Sequence, residues 1–471
     1  MLPIYTRFLS PADYGVIGLL AFALSFVEPI LGARLGMALP KFYFATLERR
    51  DRRAVIWAAI ILTGIASAIS VGAVVLFRGA GSQLLFGNRE YALALGIFSV
   101  TLLSRPLEDT GMMYLRMHER SRLFLAISMI KLLLQVGLNL LLVVYLEKGV
   151  IGAVLSGVIA SVAIGAVLSV YVATREAPAF DLRITLKMLR FSWPLWVSGL
   201  AGLYVGSSGG VYLRVFGSLG DVGRLELALR LATVVGMLIW IPFSQQWVPL
   251  SYRYYNEPNG KQKFQAAFIA ISALMFIGGL GTSIFARPVI MLMAAKPFYA
   301  AVSAVPILTF GFILNELRSF FNFSFLVTDN TKISSIFQYV MAAVITIAYF
   351  ALVPKYGLLG AAEAQFLAFL VGFIVSRLIS RRYYDPELKV ALVGTFSLIC
   401  IAAYVCSNAF GPTDYIVVDL AVRSLAFLAA SGAIAVIGIR SINAVNVLAM
   451  DSLPGPLGGL VRLASGRGFA R

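Results

Sequence analysis

Residues 8–15 read Phe-Leu-Ser-Pro-Ala-Asp-Tyr-Gly, and residues 216–223 read Phe-Gly-Ser-Leu-Gly-Asp-Val-Gly. The shared frame, Phe-x-Ser-x-x-Asp-x-Gly, recurs after about 208 residues. Two more pairs recur at nearly the same offset: Pro40-x-x-Tyr43 with Pro249-x-x-Tyr252, and Gly149-x-x-Gly152-Ala153 with Gly357-x-x-Gly360-Ala361. Any one pair is weak evidence, but three at one offset argue for an internal duplication. Ser-x-x-Asp ahead of an apolar run is a helix-start signal, because the hydroxyl caps free N–H groups and the acid favours the positive end of the helix dipole. Pro11 suits the first turn of such a helix.

The stretches between these motifs are apolar. Of the 471 residues, 60% are hydrophobic and 13% are charged, whereas a soluble domain carries about 25% charge. A bilayer-spanning helix needs roughly 20 apolar residues. About thirteen runs qualify by that measure: 14–37, 54–77, 90–114, 121–145, 150–173, 192–213, 224–250, 264–286, 301–327, 332–353, 357–379, 388–408 and 415–438. Uninterrupted runs exclude the alternating strands of a membrane barrel. The expected fold is an all-α polytopic membrane protein with two helical lobes related as parallel repeats, plus two C-terminal helices. The expected boundaries are an N-terminal lobe at 1–173, a cytoplasmic linker at 174–191 and a second lobe at 192–379. An extra helix pair at 380–440 and a Gly-rich cytoplasmic tail at 441–471 complete the chain. An even number of helices per repeat makes the halves parallel, an arrangement typical of secondary transporters.

Lys and Arg set the orientation. One alternating set of connections holds Lys41, Arg49, Arg50, Arg52, Arg53, Arg116, Arg120, Arg122, Arg175, Arg183, Lys187, Arg190, Arg253, Lys261 and Lys263, among others. The opposite set holds few, such as Arg78, Arg89, Lys148 and Arg287, a bias of roughly three to one. The first set and the C-terminus are therefore expected in the cytoplasm. An odd number of spans then puts the N-terminus outside although residues 1–13 hold no signal peptide, so a further helix is expected upstream of Met1, the alternative being one span fewer or more than the count above. The net charge of +17 lies in these short connections, so no nucleic-acid partner is expected. Two cysteines exclude a disulfide framework, and a single histidine, His118, excludes multi-histidine metal sites. His118 sits in a basic cytoplasmic turn and reads as solvated. No P-loop is present, and no cofactor is expected.

The run Tyr5-Thr6-Arg7-Phe8-Leu9-Ser10-Pro11-Ala12-Asp13-Tyr14-Gly15 resembles the opening of polysaccharide transporters. So do Leu189-Arg190-Phe191-Ser192-Trp193-Pro194-Leu195 and the stretch 226–252 with Trp247-Val248-Pro249. The resemblance covers roughly residues 1–390 and is to the O-antigen flippase (Wzx-like) branch of the multidrug/oligosaccharidyl-lipid/polysaccharide exporter superfamily. It implies a flippase, not an enzyme. Such a protein moves a polyprenyl-diphosphate-linked oligosaccharide repeat unit, of O-antigen or exopolysaccharide, across the inner membrane by alternating access with ion-gradient coupling. The partners so implied are the lipid-linked oligosaccharide, membrane lipid, and polysaccharide polymerase and export proteins. The family's first helix precedes the motif at residue 5. Its mid-chain acidic residue is replaced here by Ser207-Ser208-Gly209-Gly210. Two rival readings are a multidrug or small-metabolite exporter of the same superfamily, and a membrane polysaccharide polymerase or ligase. The latter would need a large outer loop bearing catalytic groups, and the outer connections are short.

A lipid diphosphate calls for cations, its glycan for amides and aromatics. Charges inside spans are costly and need a reason. Arg105, Arg230 and Arg423 have acids three or four residues away, at Glu108 and Asp109, Glu226, and Asp419, so local pairing competes with a substrate role. Arg34, Lys131 and Arg318 lack such neighbours and rank first as phosphate contacts. Gln245, Gln246 and Trp247 offer sugar contacts, against the alternative of an interfacial anchor. Glu28, Glu316 and Glu363 lack local partners and are the leading ion-coupling candidates, followed by Glu108 and Asp109. Arg105-Pro106-Leu107-Glu108-Asp109-Thr110-Gly111 reads either as charge beside a broken helix or as a polar helix end. Gly202, Gly206 and Gly210 form a small-residue stripe for helix packing or a gate. Cys400 and Cys406 read as small buried hydrophobes.

Overall fold

In the computed structural model, the residues described are 2–31, 38–45, 48–328, 330–409 and 416–445. They form helices joined by short turns, with no strand among them. Ten of the helices are long and apolar enough to cross a membrane, and the protein is an all-α, multi-pass membrane protein. The apolar runs outnumber these ten for local reasons. The runs 332–353 and 357–379 fuse into one long helix that bends at Gly357, where φ is +52°. The run 90–114 breaks at Val100 and carries Arg105, Glu108 and Asp109. The helix Leu182–Ser207, outside the ten, opens with Arg183, Lys187 and Arg190.

The chain divides into two compact units, Met1–Glu226 with Met293–Phe298, and Leu227–Leu292 with Tyr299–Arg471. The main helices of the first unit are α1 (Pro11–Leu31), α2 (Ala38–Ala45), α3 (Arg49–Leu76), α4 (Thr101–Met117), α5 (Ser121–Asn139), α6 (Gly149–Arg175) and α7 (Leu182–Ser207). Helix α8 (Leu219–Ala232) begins in this unit. Helices α4 and α6 meet along small residues. A methyl group on Gly165 would stand 2.9 Å from the Ser104 carbonyl oxygen, and one on Gly111 would stand 2.6 Å from Leu168 Cβ. Such close approach is how membrane helices gain dispersion energy where lipid offers no hydrophobic drive. At the end of α4 and α6 near the basic connections, Val55, Ile56, Tyr114, Leu115, Leu168 and Val172 form one buried cluster.

The repeated motifs adopt matching geometry. Ser10 Oγ donates to Asp13 Oδ2 at 2.7 Å and accepts from Asp13 N–H at 3.1 Å. Ser218 and Asp221 make the same two bonds at the same lengths. The helices that follow cross at equivalent points. A methyl on Gly15 would overlap the Leu219 carbonyl, and one on Gly223 would overlap the Pro11 carbonyl. Pro11 and Leu219 occupy the same position in the repeat, as do Gly15 and Gly223, so the contact is reciprocal under the duplication. Gly149 and Gly357 both have positive φ, +55° and +52°, a conformation glycine adopts without steric cost. The next motif glycines, Gly152 and Gly360, each crowd a carbonyl of the preceding helix, Leu142 and Leu352.

The second unit contains α9 (Ile241–Tyr255), α10 (Gly260–Met293), α11 (Ala304–Leu317), α12 (Ser319–Val327), α13 (Thr331–Ser380), α14 (Ala391–Ala409) and α15 (Ile416–Asn443). Its core is aromatic: Phe243, Trp247, Phe264, Phe268 and Phe320 stack or meet edge to face at centroid distances of 5.0–6.1 Å. Arg423, 2% exposed, ties α15 to its neighbours. It donates to Asp419 on its own helix at 2.9 Å, to the Ile284 carbonyl of α10 at 2.9 Å, and to Asn408 Oδ1 of α14 at 3.3 Å. The local pairing expected for Arg423 is present, and the same guanidinium also bridges helices.

Helix α7 starts at Leu182, ten residues before the run 192–213 would place it. Asp181 caps it by accepting from the Arg183 and Ile184 N–H groups at 2.7 and 3.3 Å, the usual role of Asp at this position. The non-helical part of the connection is correspondingly short. His118 is not merely solvated. Its Nε2 lies 3.1 Å from Tyr43 Oη, and its ring stands 4.1 Å from that of Tyr114.

Candidate functional site

Pro106 lies inside α4 without breaking it; the interruption falls at Val100. Downstream of the proline, Glu108 bonds to two neighbouring helices. Lys131 of α5 donates to both Glu108 oxygens, at 2.6 and 2.8 Å. Ser161 of α6 donates to Glu108 Oε2 at 3.2 Å and accepts from Ser104 at 3.1 Å. Three helices are thereby joined through one buried carboxylate. The expectation that Arg105 pairs with Glu108 is corrected: Arg105 is exposed and lies over the Phe98 ring at 5.8 Å. Lys131, ranked as a phosphate contact, has a full ion pair on a neighbouring helix. Asp109 is exposed on the same helix.

In the second unit the situation is reversed. The helix running through α11 and α12 is interrupted at Arg318, where the chain tightens to a bond from Phe321 N–H to the Arg318 carbonyl at 2.9 Å. Arg318 is 5% exposed. Its Nη2 reaches Asn315 Oδ1 at 3.3 Å, while Nε and Nη1 have no hydrogen-bond partner among the described residues. One turn on, the buried Oδ1 of Asn322 also lacks one. Glu316, two residues before Arg318, lies against Gly236: a methyl there would stand 3.6 Å from Glu316 Oε1. Gly236 opens a π-helical turn, Gly236–Trp240, and such turns gather at functional sites. Two irregular helices thus meet at Glu316, two residues before a cation with open donors whose own helix also carries two amides, Asn315 and Asn322. Buried donors without partners cost roughly 1–3 kcal/mol each. An oxyanion supplies what Nε and Nη1 need, and a hydroxyl supplies what Asn322 needs.

In the same unit, α11, α13 and α14 enclose a groove of about 680 Å³. Phe310, Phe366, Phe373 and Tyr404 line it, together with one ionisable carboxyl, Glu363.

The remaining candidates scatter. Arg34 lies outside the described residues. Glu28 is buried near the end of α1, and Arg230 is exposed on α8. Gln245 and Gln246 are exposed on α9, whereas Trp247 is 5% exposed within the aromatic core. Its ring faces Phe243, Phe264 and Phe320, so core packing takes the place of both sugar stacking and interfacial anchoring. Gly210 of the small-residue stripe is crowded by Val222, 3.2 Å from a methyl placed there. Sequence reading missed Asn322 and Gly236. A polar residue one turn beyond an intramembrane arginine was the available signal for Asn322; nothing in the sequence marks the π-turn.

The profile of the family described as "Polysaccharide biosynthesis protein" matches residues 1–255. Among curated protein sequences, none matches. Among solved structures, the chain is similar to the lipid II flippase MurJ in an inward closed conformation, with a TM-score of 0.74 at 15% identity. That match covers 91% of this chain and 94% of that one. The chain is also similar to a multidrug resistance MATE family transporter of the MOP superfamily in its inward-facing conformation, with a TM-score of 0.59 at 16% identity. Here 81% of this chain and 93% of the other are covered. At these identities the likeness is one of fold.

Proposed function

Because the chain belongs to the polysaccharide biosynthesis protein family, we propose that it is a flippase carrying a polyprenyl-diphosphate-linked oligosaccharide repeat unit from the cytoplasmic to the outer leaflet of the inner membrane. The substrate class is that of O-antigen or exopolysaccharide assembly. The single observation that carries the reading is the buried Arg318 guanidinium at a helix interruption, whose Nε and Nη1 have no hydrogen-bond partner among the described residues. Arg318 would take a phosphate oxygen and Asn322 a sugar hydroxyl. The apolar groove that α11 lines as far as Leu314 would give an isoprenoid tail a lipid-like wall. Fold likeness to a lipid-linked-substrate flippase supports the same class. No covalent step is involved: the repeat-related lobes alternate in exposing the site, with the C-terminus in the cytoplasm.

Coupling to an ion gradient belongs to the same reading. Glu316 is its carrier: the carboxyl sits two residues from Arg318 and makes no ion pair within 4 Å among the described residues. A proton or sodium ion on Glu316 would change the charge felt by a phosphate at Arg318. Glu28 and Glu363 are secondary candidates. The proposed setting includes a polysaccharide polymerase acting on the flipped product.

The test is complementation of a strain lacking its O-antigen or exopolysaccharide flippase. Wild-type chain should restore surface glycan, and Arg318→Ala should not, at equal membrane levels. Restoration by Arg318→Ala would remove the assigned site.

A further inference from the structure

The groove among α11, α13 and α14 contains more than an isoprenoid tail needs. A neutral hydrocarbon chain is satisfied by Phe310, Phe366 and Phe373; it has no use for a carboxyl. Yet Glu363 opens into the groove, about 9 Å along α13 from the bend at Gly357, at 1.5 Å rise per residue. Among the described residues no Lys or Arg nitrogen lies within 4 Å of it, and none lines the groove. No residue three or four positions away carries positive charge. Ser397, the other polar aliphatic lining residue, donates its hydroxyl to the Val393 carbonyl at 2.8 Å, so it does not neutralise the acid. An ionisable group at such a position is costly and marks a function.

We propose that this groove is a binding site for hydrophobic organic cations. Charge complementarity to Glu363 selects the cation, and the ring faces of Phe310, Phe366 and Tyr404 attract it electrostatically. The volume, about 680 Å³, suits a single drug-sized molecule. An amphiphilic cation seated there would occupy the wall assigned above to the lipid tail and would act as a competitor of the substrate. The site itself depends only on the groove and its acid, so it stands or falls independently of glycan transport.

The experiment uses the purified full chain in neutral detergent, without lipid-linked substrate. The probes are radiolabelled tetraphenylphosphonium and its uncharged counterpart, triphenylphosphine oxide. Wild type should bind tetraphenylphosphonium saturably at one site. Glu363→Gln should bind it about tenfold or more weakly, a difference of about 1.4 kcal/mol, while binding the neutral probe as wild type does. Glu363→Asp should retain most of the cation affinity. Gly394 lines the groove with open space beside it, so Gly394→Leu should weaken both probes. Unchanged cation binding in Glu363→Gln, an equal loss of both probes in that variant, or full binding of both in Gly394→Leu would overturn the proposal.

Discussion

Lys131 and Arg318 look alike in sequence: each is a cation within an apolar run, without an acid three or four residues away. The structure treats them oppositely. Lys131 closes a three-helix network through Glu108, Ser161 and Ser104. Arg318 is more deeply buried, yet among the described residues two of its nitrogens and an amide oxygen one turn away have no hydrogen-bond partner. A paired buried charge holds helices together, because removing either partner strands the other. An unpaired one is left open to a ligand, which is the reading proposed for Arg318.

The largest expected effect breaks the paired side. Lys131→Met leaves Glu108 buried without its cation and should destabilise the protein by on the order of 3 kcal/mol, read as a fall in thermal unfolding temperature in detergent. Adding Glu108→Leu should recover most of that loss. If the single variant melts like wild type, the network is not structural. A second, smaller effect tests the equivalence of the repeats. Gly15→Ala and Gly223→Ala each push a methyl into a carbonyl of the partner helix and should cost about 1–3 kcal/mol apiece. Strongly unequal costs would argue against the reciprocal crossing.

The third effect sharpens the unpaired side. Arg318→Met should lower glycan translocation about tenfold or more, about 1.4 kcal/mol in the barrier, while the unfolding temperature holds or rises. A parallel fall in stability and transport would make Arg318 another structural charge. The smallest effect lies in the connection between α13 and α14 of the second unit. Burial pushes the Asp385 carboxyl up, but its hydrogen bond to Arg377 at 2.7 Å, the Glu387 N–H and the Arg377 and Arg381 charges together hold it below the usual carboxylate range. The folded form therefore prefers the ionised group. That stability is present above the unfolded value of about 3.9 and is lost as pH falls through the lowered folded value. Asp385 is partly exposed, so the contribution stays below about 1 kcal/mol. Asp385→Asn should flatten the fall of unfolding temperature between about pH 5 and pH 3; an unchanged slope would exclude the pair as a source of acid sensitivity.

The repeat was legible because its motifs are local. A serine three residues from an aspartate, or a glycine whose φ must be positive, needs no knowledge of distant chain. The pairing of Lys131 was harder to read, since a search at helical spacing looks only along one helix. A usable signal existed: Glu108 and Lys131 lie roughly ten residues on either side of the turn at 118–120, so antiparallel neighbours place them at equal depth. Trp247 misled because a tryptophan near the end of a span commonly anchors in the interface; here four other aromatic rings surround it. The early start of α7 is written in Asp181, whose cap lies in a polar stretch that hydropathy does not register. Arg318 could be ranked from sequence, but its open nitrogens could not, because satisfaction of a donor depends on every helix around it.

The most direct measurement is leaflet transfer in proteoliposomes loaded with a purified polyprenyl-diphosphate oligosaccharide, scored by access of a membrane-impermeant glycan-oxidising reagent. Wild-type protein should expose the inner-leaflet pool to the reagent, and Arg318→Met should leave it protected although the variant is folded and reconstituted to the same level. Equal exposure with both proteins, or protection with both, would contradict the account.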